Sequence, residues 1–97
     1  MYTIVRREVF SDTTFLWEVM VPDVANSAQP GQFVMVRLHE GSERIPLTVA
    51  DFDRYKGTIT MVIQSLGKTT LEMRDRYKEG DRFADFVGPL GMPQHVS

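Results

Sequence analysis

The sequence predicts an all-β domain: a small antiparallel barrel of six strands with one short helix at about 69–78. Three observations carry this expectation. Short runs rich in Val, Ile, Phe, Thr and Trp recur along the chain, separated by Gly, Pro, Asp and Ser. Only one segment has both helix-start and helix-stop signals, and it comes late. In a chain of 97 residues, closing the sheet on itself is the simplest way to remove exposed strand edges.

The elements follow in order. "YTIVRREVF" (2–10) and "TFLWEVMV" (14–21) are β-rich and flank the polar turn "SDT", so they read as a hairpin. "VPDVANSAQPGQ" reads as a loop with two prolines and a glycine. "FVMVRLH" (33–39), "PLTVADF" (46–52) and "GTITMVIQ" (57–64) supply three more strands, joined by "EGSE" and the charged turn "DRYKG". Alternation is imperfect in "FVMVRL" and "ITMVIQ", which predicts strands covered on both faces over part of their length.

Thr69 and Glu72 form a T-x-x-E capping box at the start of a helix, with Met73 and Tyr77 on one face and Gly80 as the left-handed stop. Glu72 and Arg76 are spaced for an i,i+4 ion pair. "DRFADFVG" (81–88) reads as the sixth strand and "PLGMP" as irregular. Trp17, Met61 and Met73 read as core or rim, and Asp51 and Asp53 as turn formers.

Composition narrows the function. A net charge of −2 speaks against a general nucleic-acid binder. With no cysteine there is no disulfide and no thiolate metal or iron–sulfur site in this chain. His39 and His95 stand far apart without further ligands, so no metal site is expected. Ser65 lacks the G-x-S-x-G context of a nucleophile. No run reaches membrane-span length, and the expected location is cytoplasmic.

"SLGKTTLEM" (65–73) contains GKTT, the end of an ATP-binding P-loop. That motif needs a glycine five residues before Gly67, and the position holds Val62, inside a strand. ATP binding is not expected.

"PGQFVMV" (30–36), "ERIPLTVAD" (43–51) and "SLGKTTLEM" (65–73) occur in an order and spacing that resemble the flavin-binding domain of the ferredoxin–NADP reductase superfamily. "GDRFADFVGPLGMP" (80–93) resembles the strand and exit loop leading to that family's nicotinamide-binding domain. The resemblance is to electron-transfer subunits such as that of dihydroorotate dehydrogenase, sulfide dehydrogenase and the small subunit of NADH-dependent ferredoxin–NADP oxidoreductase. It implies a six-stranded Greek-key barrel with a capping helix, holding FAD at one end.

The resemblance also implies site residues. Gly67, Lys68, Thr69 and Thr70 would face the pyrophosphate of FAD. The chemistry agrees, because a helix N-terminus presents free N–H groups and a positive dipole end. A capped helix on a barrel would explain Thr69 and Glu72 equally well. In "RIPLT", Thr48 matches the family's hydroxyl position near the flavin ring, and Leu47 replaces an aromatic. Pro46 and Leu47 would pack the ring, or belong to turn and core. Arg44 lies one residue before the family's phosphate-pairing arginine, whose place holds Ile45. Val62, Ile63 and Gln64 would contact the ribityl or adenosine part, although Val62 and Ile63 suit a barrel core as well.

The implied activity is hydride and electron transfer between NAD(P)H and an iron–sulfur partner subunit, with no catalytic acid or base. The expected organisation is one FAD-binding barrel over 1–97, with the nicotinamide-binding domain absent from this chain. A barrel of this kind alone would bind FAD without oxidising a nicotinamide. The alternative is a small β-barrel binding module without flavin, serving a protein partner or single-stranded nucleic acid.

Overall fold

The computed structural model describes residues 2–29 and 31–91. Six strands form one sheet: β1 (Thr3–Val9), β2 (Thr14–Met20), β3 (Phe33–Arg37), β4 (Ile45–Asp53), β5 (Thr58–Gln64) and β6 (Asp85–Leu90). They lie in the order β1-β2-β5-β4-β3-β6, every neighbour antiparallel. This is the expected Greek-key order, curled into a barrel-like sheet. The outer strands β1 and β6 do not form a ladder. The seam between them is bridged by Thr3 against Arg82, and by backbone bonds from Ile4 N–H to Asp81 O and Gly80 N–H to Ile4 O.

Two helices complete the described residues, α1 (Pro22–Ala25) and α2 (Lys68–Arg76). The sequence reading took residues 21–32 for a plain loop. One turn of helix forms there because Pro22 fixes φ at the first helical position, where its missing N–H costs nothing. Val24, Ala25 and Ala28 then enter the core.

The start of α2 also differs from expectation. Gly67 is the N-cap, and the T-x-x-E box does not form. Thr69 instead donates its hydroxyl to Glu43, 2.7 Å away, and Glu72 faces His39 at 3.6 Å rather than Arg76. Thr70 takes the local role, accepting from the Gly67 N–H at 3.0 Å and donating to the Gly67 carbonyl at 3.1 Å. The helix ends at Arg76 with an extended Tyr77, so Gly80 (φ 88) serves the following turn and not the helix stop. β6 runs over 85–90, later than the expected 81–88, and it includes the Pro89 and Leu90 read as irregular. Met92, Pro93 and His95 lie outside the described residues.

The core sits between the curled halves of the sheet. Trp17 is fully buried and stacks on Phe83 with centroids 5.9 Å apart, and Tyr77 at the α2 C-cap packs against it at a tilt, also at 5.9 Å. Met61 and Met73 are core residues. The imperfect alternation has a different origin from the one expected. β3 and β5 alternate in burial, and their extra apolar residues (Val62 among them) face outward. β2 is the strand covered on both faces, with Phe15 to Val19 all buried.

That burial includes Glu18. Its carboxylate accepts from the Thr58 hydroxyl at 2.7 Å and from Arg6 Nε at 3.1 Å. The Thr58 hydrogen bond, supported by Arg6 and Lys56, outweighs desolvation and holds the Glu18 carboxyl below the ordinary glutamate value.

Candidate functional site

β4 and β5 pair only as far as Val49 against Met61. Beyond that point β4 follows β3, with Thr48 opposite Phe33 and Pro46 opposite Met35, while β5 follows β2, with Thr14 opposite Gln64. An irregularity between Val49 and Asp51 bends β4 at the divergence, as a bulge does. A groove of about 450 Å³ opens between the splayed strands. Thr14, Pro46, Leu47, Thr48, Val62, Ile63, Gln64, Leu66 and Thr70 line it. Its walls mix apolar side chains with three hydroxyls and one amide in about equal measure, so it offers both packing surface and polar groups to a small molecule.

The period of two sorts these residues by role. Leu47 and Ile63 point into the core and form the groove floor. Val62 and Leu66 lie on its rim, 44% and 76% exposed, each a large apolar surface left to solvent. Pro46, Thr48 and Gln64 are exposed beside them.

The first turn of α2 stands at one end of the groove. No side chain caps it, so its leading N–H groups and the positive end of its dipole face outward. Gly67 adopts an ordinary extended conformation (φ −126, ψ 173). An added Cβ there would meet nothing closer than the Thr70 hydroxyl at 3.9 Å. Neither backbone strain nor crowding within the fold calls for glycine at this position.

Beyond that turn is a second, more polar groove of about 540 Å³, lined by His39, Gly41, Ser42, Glu43, Lys68, Thr69 and Glu72. Nearly all the residues singled out from the sequence thus gather around the start of α2: Pro46, Leu47, Thr48, Val62, Ile63, Gln64 and Thr70 in the first groove, and Lys68 and Thr69 in the second. Gly67 sits between them as the N-cap. Arg44 lines neither; its guanidinium pairs with Asp85 at the start of β6, 3.0 Å away. Val62 lies within β5, so no glycine-rich phosphate loop precedes GKTT.

Sequence reasoning missed Thr14 and Leu66. Thr14 reaches the groove only through its pairing with Gln64, a contact of long sequence separation. Leu66 carried a local signal, a leucine between a strand end and a helix start.

No protein-family model matches the sequence. The similar proteins are informative. The chain is 46% identical over 93 residues to a Thermotoga maritima homologue of the dihydroorotate dehydrogenase B (NAD(+)) electron transfer subunit, covering 96% of this chain and 33% of that one. The electron transfer subunit from Desulforamulus reducens is 38% identical over 81 residues, covering 80% and 30%. A Clostridium beijerinckii protein named only for its place in the adh 3′ region is 48% identical over 93 residues, covering 96% and 31%. The fold matches a chain in the structure of NADH-dependent reduced ferredoxin–NADP oxidoreductase, studied for flavin-based electron bifurcation. That match has a TM-score of 0.93 and 45% identity, over 98% of this chain and 34% of the other.

The chain belongs to this family of ferredoxin–NADP reductase-like electron-transfer subunits. It spans about a third of the length of the curated relatives it matches. Among the described residues, no helix is long and apolar enough to cross a membrane.

Proposed function

We propose that this barrel is the FAD-binding part of a flavin-dependent oxidoreductase in the cytoplasm. The whole protein would pass electrons between NAD(P)H, bound by another domain, and an iron–sulfur partner subunit. The observation that carries the reading is the groove in the splay of β4 and β5, ending at an uncapped helix whose N-cap glycine the fold itself does not need.

FAD, when bound, supplies the chemistry of taking up a hydride and releasing electrons one at a time. The residues of this chain bind and orient. Val62, Leu66 and Pro46 offer apolar surface to a flat ring, over a floor of Leu47 and Ile63. Thr48 and Gln64 supply polar groups on the same wall. Lys68 to Thr70 offer backbone N–H groups, with the Lys68 ammonium beside them, to a diphosphate that lies against Gly67. Arg44 joins them only by exchanging Asp85 for that diphosphate. The reading assigns no catalytic acid or base to this chain.

The test is titration of the purified chain with FAD, FMN and ATP, read by flavin fluorescence and thermal shift. A ligand at a hundred times its dissociation constant adds about 2.7 kcal/mol of stability, a shift of several degrees in a domain of this size. FAD stabilises the chain, FMN does so less, and ATP leaves it unchanged. No response to either flavin from a folded sample contradicts the reading and favours a flavin-free binding module.

A further inference from the structure

Glu43 stands where an anion-binding site can least accommodate a carboxylate. Its Oε1 accepts the Thr69 hydroxyl proton at 2.7 Å, taking up a hydroxyl donor in the first turn of α2. It shares the polar groove with Lys68 and Glu72, and Glu72 is drawn toward His39. The neighbouring Arg44 does not balance it, because that guanidinium is held by Asp85 on β6. Lys68 makes no ion pair among the described residues. Glu43 is exposed and follows Gly41, whose positive φ turns the chain between β3 and β4. A side chain so placed can swing away at little structural cost.

We propose that Glu43 is a specificity-determining residue, a built-in competitor for the diphosphate of the ligand. Without ligand its carboxylate holds Thr69. When a diphosphate arrives at the start of α2, Glu43 must release that hydroxyl and withdraw, because two anions cannot share one donor at hydrogen-bond range without strong repulsion. The site is thereby tuned to moderate affinity for phosphate-bearing ligands. Its affinity for the uncharged part of a flavin, which lies along the apolar groove, is unaffected. This inference rests on the flavin reading of the groove for the identity of the ligand, but not for the competition itself.

The experiment compares the wild-type chain with Glu43→Gln and Thr69→Val, and with Glu40→Gln as a control that removes a charge from the same loop outside the groove. Each is titrated with FAD, riboflavin and inorganic pyrophosphate at low and high salt, with circular dichroism to establish folding. Glu43→Gln tightens FAD and pyrophosphate about three- to tenfold, the scale of one screened charge at close range. The gain shrinks at high salt. Riboflavin binding and the Glu40→Gln control stay level, and Thr69→Val weakens FAD.

Unchanged or weaker FAD and pyrophosphate binding in folded Glu43→Gln overturns the proposal. An equal gain for riboflavin does so as well. If no flavin binds any variant, the flavin reading fails, and the pyrophosphate arm decides the role of Glu43 alone: a gain supports it and no gain overturns it.

Discussion

Gly57 and Gly67 occupy opposite ends of β5 and are glycine for opposite reasons. Gly57 turns from β4 into β5 with φ 74, and an added Cβ would lie 3.0 Å from Pro22 Cγ and 3.2 Å from its Cα. The fold demands glycine there. Gly67 has an ordinary conformation and open space where a Cβ would go. The same contrast divides the molecule. β2, the start of β5 and the buried side of α1 have their side chains committed to one another, down to the Glu18–Thr58 pair on a buried strand face. Around the start of α2, a helix is uncapped, Leu66 and Val62 face solvent, and Thr69 is held by a surface carboxylate. The first region shows what this sequence needs in order to fold. The second shows features that folding leaves unexplained, and those are the ones a ligand would use.

If the division is sound, substitutions in the first region cost stability and those in the second cost binding. Trp17→Ala has the largest effect. Truncating a fully buried indole packed on Phe83 and Tyr77 destabilises by about 3–5 kcal/mol, seen as a collapse of the urea midpoint.

Glu18→Gln comes next, at about 1.5–3 kcal/mol for hydrogen bonds to a charged acceptor. Its pH dependence is diagnostic. The folded-state pKa of Glu18 is depressed, so its contribution is full at neutral pH and is lost as pH falls below the ordinary value of 4.5 toward the lower folded one. Urea curves for wild type and Glu18→Gln, collected from pH 7 down to pH 3, are therefore expected to converge on the acid side. A gap that widened there would show that the carboxylate is not stabilising.

Gly57→Ala costs about 1–2 kcal/mol from the left-handed backbone alone, with crowding against Pro22 added, and leaves flavin affinity unchanged once folding is corrected for. Gly67→Ala is the smallest in stability, within about 0.5 kcal/mol of wild type, yet it weakens FAD. Equal stability losses at the two glycines, by thermal melting, would erase the distinction between the regions.

The strands were legible because each is short, apolar and bounded by turn residues, and a period of two survives in single sequences. What stayed hidden was set by contacts distant in sequence. T-x-x-E matched a capping box, but Glu43 and His39, from the loop after β3, claimed Thr69 and Glu72. α1 was too short for any periodicity, and only Pro22 announced it. The outward face of Val62 could not be told from a core position until β5 was paired with β2. The candidate residues came from three spaced motifs, while Thr14 and Leu66 came into view only where the sheet splays.

The central claim is that the flavin lies between the splayed ends of β4 and β5, with its phosphates at the start of α2. Backbone amide NMR of the chain titrated with FAD tests it most directly. The account predicts shifts concentrated at Thr14, Leu47, Thr48, Val62 to Gln64 and Leu66 to Thr70, with the opposite end of the barrel, Tyr2, Val24 and Phe86, unmoved. Shifts centred on Tyr2, Val24 and Phe86, with the first turn of α2 silent, would contradict it.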